Sequence, residues 1–193
     1  MGKNGLPDRW MDYSNCGSVI EGTRIVALKV PLKKVLLSKV MKKDWFSPED
    51  AVADIPNLDF IIDLTFTTRY YDPSEFESRG VRHGKIATEG HVIPRGPVMR
   101  RFFDAMDAYL ADKDKSGVVG VHCTHGVNRT GYMVCRYLIS RLGFTPDAAI
   151  AAFNKARGHN VERANYLDDL KAAAWPNVPD AEPEPEAEPV DRC

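Results

Sequence analysis

Cys123 and Arg129 stand five residues apart in the run His122-Cys123-Thr124-His125-Gly126-Val127-Asn128-Arg129-Thr130-Gly131. A thiolate is a strong nucleophile, and an arginine can grip two phosphoryl oxygens at once. Five intervening residues let the chain curl so that successive backbone N–H groups point inward and form an anion nest. A helix starting directly after the loop would add positive potential. That potential lowers a thiol pKa from its free value of ~8.5, which makes Cys123 nucleophilic at neutral pH. Gly126 allows a turn where a side chain would clash. Thr130 can donate a hydrogen bond to the sulfur and help it leave in a second step, while His122 and Asn128 would hold the loop in shape. The chemistry is phosphoryl transfer through a cysteinyl-phosphate.

Such a loop needs a strand before it and a helix after it. Val118 to His122, VVGVH, is predicted as a buried strand, and a helix is expected from about Thr130, with Met133, Val134, Tyr137 and Leu138 facing inward and Gly143 as its stop. Arg24 to Val30 alternates and is β-branched, so it reads as a strand ended by Pro31. Leu58 to Thr65 is a nearly continuous apolar run, as in a strand covered on both faces, and Lys85 to Thr88 is read as another strand. Ser47-Pro48-Glu49-Asp50 carries the marks of a helix start. Pro97 opens a helix to about Asp112, with Val98, Phe102, Ala105, Met106, Tyr109 and Leu110 at helical spacing. Thr145-Pro146 caps the next helix, which ends before Gly158, and a last one runs from about Arg163 to Ala173. Strands alternate with helices, so the expected class is α/β: a small central sheet flanked by helices.

The 193 residues fit one domain, expected over residues 1–175, followed by a tail over 176–193. Residues 178–193 read VPDAEPEPEAEPVDRC, with six acids and one base, which is an acidic, Pro/Glu-rich composition expected to stay disordered or to meet a protein partner. Residues 1–177 carry 25 bases against 21 acids, a mild excess that permits an anionic substrate. No apolar run reaches the ~20 residues that span a bilayer, and the N-terminus lacks a secretory signal. Cys16, Cys123, Cys135 and Cys193 are spaced for neither a disulfide framework nor a zinc site, which suits an intracellular setting, in nucleus or cytoplasm. Cys135 is read as core behind the loop, Trp10 as core, and Trp45 and Trp175 as packing residues. No metal or other cofactor is expected.

HCTHGVNRTG resembles the phosphate-binding loop of the cysteine phosphatases with the dual-specificity-like fold, and within them the metal-independent RNA 5′-triphosphatases. These include the triphosphatase domain of mRNA capping enzymes and related atypical dual-specificity phosphatases acting on RNA 5′ ends. PDRWMDY, IIDLTFTTRYYDP, GYMVCRYLI and ARGHNVERANYLDDL extend the resemblance over about Leu6 to Lys171. It implies Cys123 as nucleophile, Arg129 as phosphate binder, and amides of His125, Gly126, Val127 and Asn128 around the reacting phosphate. It implies Arg163 as a contact for a neighbouring phosphate, with Lys29 and Arg69, at the ends of two early strands, on the same surface. Arg157 is read as structural or solvated. The implied partner is an RNA 5′ triphosphate or diphosphate end, acted on by a monomer that binds neither DNA nor membrane. No nucleotidyltransferase segment is present.

Tyrosine phosphatases place an aspartate on a mobile loop to protonate the leaving oxygen, but Ala87 to Pro94, where it would stand, contains none. General acid assistance is worth ~10²–10⁴ in rate when the leaving group is an alkoxide or phenoxide. A phosphate leaving from an anhydride is stable as an anion, with a second pKa near ~6. The missing acid therefore favours triphosphate and diphosphate ends. Glu89 or His91 is the alternative proton source. The rival functions are a Tyr/Ser/Thr protein phosphatase and a module that binds RNA 5′ ends or adapts them to a partner.

Overall fold

The structure, a computed structural model, describes residues 5–172 except Arg95. The tail expected over 176–193, Trp175 and Cys193 lie outside these residues. A five-stranded sheet runs in the order β1-β2-β5-β3-β4, with β1 (Cys16–Val19), β2 (Ile25–Leu28), β3 (Leu58–Asp63), β4 (Arg82–Lys85) and β5 (Val118–His122). β1 pairs antiparallel with β2, and the other neighbours pair parallel. β5 is the central strand, so the loop that follows it opens at the carboxyl edge of the parallel sheet, where ligands bind in open α/β folds.

The strands bury both faces. Ile25, Ala27, Phe60, Ile62, Val119 and Val121 pack on one side, against α4 (Gly96–Leu110), α5 (Asn128–Leu142), α6 (Pro146–Arg157) and α7 (Ala164–Lys171). Val26, Leu28 and Ile61 point the other way, toward Trp10, Leu37, Phe46, Ala51 and Phe76. That side carries three short helices, α1 (Lys34–Leu37), α2 (Pro48–Asp54) and α3 (Ser74–Glu77). The two-residue alternation of strand side chains thus feeds two cores, which is why these runs read as nearly continuous apolar stretches.

Helix ends follow local chemistry. Ser47 accepts from the Asp50 amide while the Asp50 carboxylate accepts from the Ser47 amide, a reciprocal cap with Pro48 in the first turn. Gly143 and Gly158 end α5 and α6 in left-handed conformations. Two boundaries differ from the sequence reading. The strand expected at Lys85 to Thr88 is β4 at Arg82–Lys85, because its pairing to β3 ends at Asp63, opposite Lys85. Beyond Lys85 the amides of Ile86 and Thr88 still donate to the Asp63 and Leu64 carbonyls at 2.9 and 3.2 Å, which brings this segment alongside the site. α5 begins at Asn128, two residues before Thr130, so Arg129 sits in its first turn. β1 was not foreseen; its burial is only partial and its pattern weak.

Ser47→Ala removes one half of the α2 cap and is expected to lower unfolding free energy by ~1 kcal/mol, measured by urea denaturation, without changing the denaturant slope.

Candidate active site

Cys123 follows the last residue of β5 and is 3% exposed. Burial alone would push its thiol pKa up. The Arg129 guanidinium, the Thr130 side chain and the backbone N–H groups of Thr130 and His125 outweigh it, and the net shift is downward. Thr130 Oγ1 is buried without a complete hydrogen bond among the described residues, and it faces the same sulfur. The sulfur thus lies in a cup of donors aimed at a negative charge.

Arg129 is fixed before any ligand arrives. Its Nη1 donates to the Thr88 carbonyl at 2.9 Å and the Leu64 carbonyl at 3.3 Å, and its Nη2 donates to Thr124 Oγ1 at 2.9 Å. The segment after β3 and the segment after β4 therefore both position the guanidinium.

The loop is held from behind by groups that take its carbonyls. The Arg157 side chain, 1% exposed, donates from Nε to the Gly126 carbonyl at 3.0 Å and from Nη2 to the His125 carbonyl at 3.0 Å. Its other donations go to Ser14 Oγ at 2.7 Å and the Ser14 carbonyl at 2.8 Å. Burial lowers its pKa to about 10, so it remains a cation at neutral pH. Turning two carbonyls backward leaves the peptide N–H groups facing the cleft. Gly126 has φ +66°, and a Cβ there would strike the Leu28 carbonyl, so the loop lies flat on the end of β2.

His122 is fully buried, and burial lowers its pKa, so its ring is neutral. Nδ1 donates to the Cys123 carbonyl at 3.2 Å, which makes Nε2 the acceptor for the Tyr71 hydroxyl at 2.7 Å. Tyr71 in turn accepts from His83 Nε2 at 3.0 Å. Asp63, at the end of β3, lies 3.8 Å from His122 Nδ1 and accepts from Lys85 Nζ at 2.8 Å. Lys85 also donates to Thr65 Oγ1 and the Thr67 carbonyl, both at 2.7 Å, which ties down the segment leading to Arg69. His125 donates from Nε2 to the Asp8 carbonyl at 2.6 Å and stacks on Tyr13 with centroids 4.7 Å apart.

The loop floors a cleft of about 470 Å³ whose wall includes Arg69, His91, His125, Asn128, Arg129 and Arg163. Arg69 lies over the Tyr70 ring and donates to its hydroxyl at 3.1 Å. The Asn128 side-chain carbonyl accepts from the amides of Glu162 and Arg163 at 2.9 and 3.1 Å, pinning the start of α7 to the loop. Arg163 reaches His91, with 3.1 Å between Nη2 and Nε2, and His91 has φ +75°. Gly126 and Val127, also expected around the reacting phosphate, are buried and do not line the cleft.

Lys29 is not brought to the cleft. It is 4% exposed; its Nζ lies 3.6 Å from the Trp10 ring centroid and donates to the Tyr13 carbonyl at 3.0 Å. The N-terminal turn (Trp10–Asp12) folds over the end of β2 and covers it. Burial, with the Arg157 charge adding to it, lowers its pKa to about 8. Residues that sequence reasoning passed over are Asp63, Tyr71 and Lys85. Their signal was faint: an acid inside an apolar strand, an aromatic in a loop and a basic partner at the next strand's end. Arg157, read as structural or solvated, is structural.

A central parallel strand, a cysteine in the nest that follows it and an arginine in the first helical turn define a cysteine-dependent phosphatase. The chain belongs to the dual specificity phosphatase family, whose catalytic domain it matches over residues 45–174. It is 46% identical over 175 residues to the RNA/RNP complex-1-interacting phosphatase of Bos taurus, covering 88% of this chain and 53% of that one. The Homo sapiens counterpart is 45% identical with the same coverage, so this chain spans about half the length of these relatives. The tyrosine-protein phosphatase of Autographa californica nuclear polyhedrosis virus is 43% identical, covering 86% of this chain and 98% of that one. Among solved structures, the active form of Tk-PTP (17% identity, TM-score 0.59, 83% and 98% covered) and a putative protein tyrosine phosphatase from Leishmania major (16%, 0.60, 84% and 98%) share the fold.

Arg157→Met keeps much of the volume but releases the His125 and Gly126 carbonyls. Turnover is expected to fall at least tenfold and alkylation of Cys123 by iodoacetamide to slow at neutral pH. An unchanged alkylation rate would show that the guanidinium does not shape the nest.

Proposed function

We propose that this chain is a metal-independent RNA 5′-polyphosphatase that takes triphosphate and diphosphate ends to monophosphate. One observation carries the reading: among the described residues, the cleft around Cys123 has three arginines in its wall and no carboxylate. Asp63 is committed to Lys85 and Thr65, Glu162 to Tyr13 and Asn128, and Glu89 lines a neighbouring pocket. Arg129, Arg163 and Arg69 suit a chain of phosphates better than a single phosphate ester. The name of the mammalian relatives points to RNA as well; that of the viral relative points to phosphotyrosine, which the test below includes.

Cys123 Sγ attacks the terminal phosphorus in line. The S–P bond forms as the P–O bond to the bridging oxygen breaks, and the electron pair leaves with the shortened RNA end. Arg129 and the loop amides bind the equatorial oxygens, and Arg163 and Arg69 take the phosphates behind. Water then attacks the phosphocysteine, the S–P bond breaks, and the thiolate returns with Thr130 stabilising it. A second cycle removes the β phosphate. At the monophosphate the leaving group would be a ribose alkoxide, and with no acid in the cleft the reaction stops.

Phosphate release from a short 5′-triphosphate RNA and from a phosphotyrosine peptide, both in EDTA, is expected to be fast for the RNA alone and to end at the monophosphate. Preference for the peptide would make the chain a protein phosphatase. Cys123→Ser is expected to abolish turnover and retain RNA binding. Neither Glu89→Gln nor His91→Ala is expected to reach a hundredfold loss on triphosphate RNA; such a loss would identify the missing acid.

A further inference from the structure

Beside the phosphate cleft lies a second pocket of about 410 Å³, lined by Phe66, Val92, Ile93, Pro94 and Val98, with Glu89 at its wall. The two cavities share a partition. Phe66 borders both, and Thr88, whose carbonyl accepts from Arg129 at 2.9 Å, lines the second. Phe66 is 70% exposed, an unusual state for a phenylalanine in a chain whose other described phenylalanines are mostly buried. Its neighbours do not explain it: the loop is held by Thr65 and Thr67 through Lys85, and the Phe66 ring takes no part in either core.

The two pockets differ in charge. Among the described residues, the first has three arginines and no carboxylate, and the second has one carboxylate and no base. Glu89 repels phosphate, so the second pocket is unsuited to continuing the phosphate chain. Its apolar wall and flat, exposed ring suit an uncharged planar group, whose N–H edge the Glu89 carboxylate can accept from. On a 5′-polyphosphate RNA, the planar group that follows the phosphates is the first nucleobase.

We infer that the pocket beside the cleft holds the 5′-terminal nucleobase of the RNA, stacked on Phe66. The inference rests on the RNA-end reading and assigns it a specificity site. Stacking on an aromatic side chain tolerates any base, so the pocket reads the presence of a base more than its identity. It would also separate an RNA end from inorganic polyphosphate, which offers phosphates alone.

The experiment compares kcat/KM for 5′-triphosphate RNA and for inorganic tripolyphosphate, in wild type, Phe66→Ala and Phe66→Trp, with thermal melts to verify folding. Phe66→Ala is expected to lower the RNA-to-tripolyphosphate ratio about tenfold, mostly through KM, and Phe66→Trp to restore it. A triphosphate RNA with an abasic first nucleotide should lower the wild-type ratio by a similar factor, with no further loss in Phe66→Ala. An unchanged ratio in Phe66→Ala, or equal losses on both substrates, would overturn the base site and leave the RNA-end reading standing. Failure of the wild type to act on triphosphate RNA at all would overturn both.

Discussion

The structure depends on keeping a negative sulfur inside a protein. Cys123 is buried, and burial opposes its ionisation. The offsetting interactions come from four groups on three residues: the Arg129 guanidinium and the Thr130 side chain and amide in the first turn of α5, and the His125 amide in the loop. Peptide N–H groups point at an anion only if their carbonyls are satisfied elsewhere. Arg157 and His122 do this from behind, accepting no contact with the cleft themselves. Much of the polar detail around the loop is thus a scaffold for peptide orientation.

The scaffold reaches across the fold. The Tyr71–His122 hydrogen bond and the Asp63–Lys85 pair link β3, β4 and β5 at their carboxyl ends. Asn128 joins the loop to α7, and Arg157 joins it to the N-terminal segment through Ser14. The site is therefore preformed, with little loop ordering left for substrate binding.

The elements nearest the loop were the most legible in the sequence. VVGVH is β5, and the caps at Ser47, Thr145, Gly143 and Gly158 stand where turn chemistry puts them. The helix face of Met133, Val134, Tyr137 and Leu138 is buried as its spacing requires. Less legible were features set by distant contacts. β1 gains its place by pairing with β2 at the sheet edge, and the extent of β4 is set by its register with β3, which runs from Phe60 opposite Arg82 to Asp63 opposite Lys85. Lys29 follows a strand end, where an exposed cation is an ordinary expectation, but a tryptophan nineteen residues earlier covers it. For Arg157 the sequence left structural and solvated roles open, and contacts with Ser14, His125 and Gly126, all distant in the chain, decide for the structural one.

The central claim is a Cys123 thiol pKa lowered by the donors around it, and it can be measured without any substrate. The rate of iodoacetamide alkylation at Cys123, followed by mass spectrometry from pH 4 to 10, reports the thiolate fraction directly. The midpoint is expected below that of a free thiol, ~8.5, and should rise when Arg129→Ala removes the largest favourable charge. A midpoint at or above the free-thiol value, unmoved by that substitution, would contradict the account.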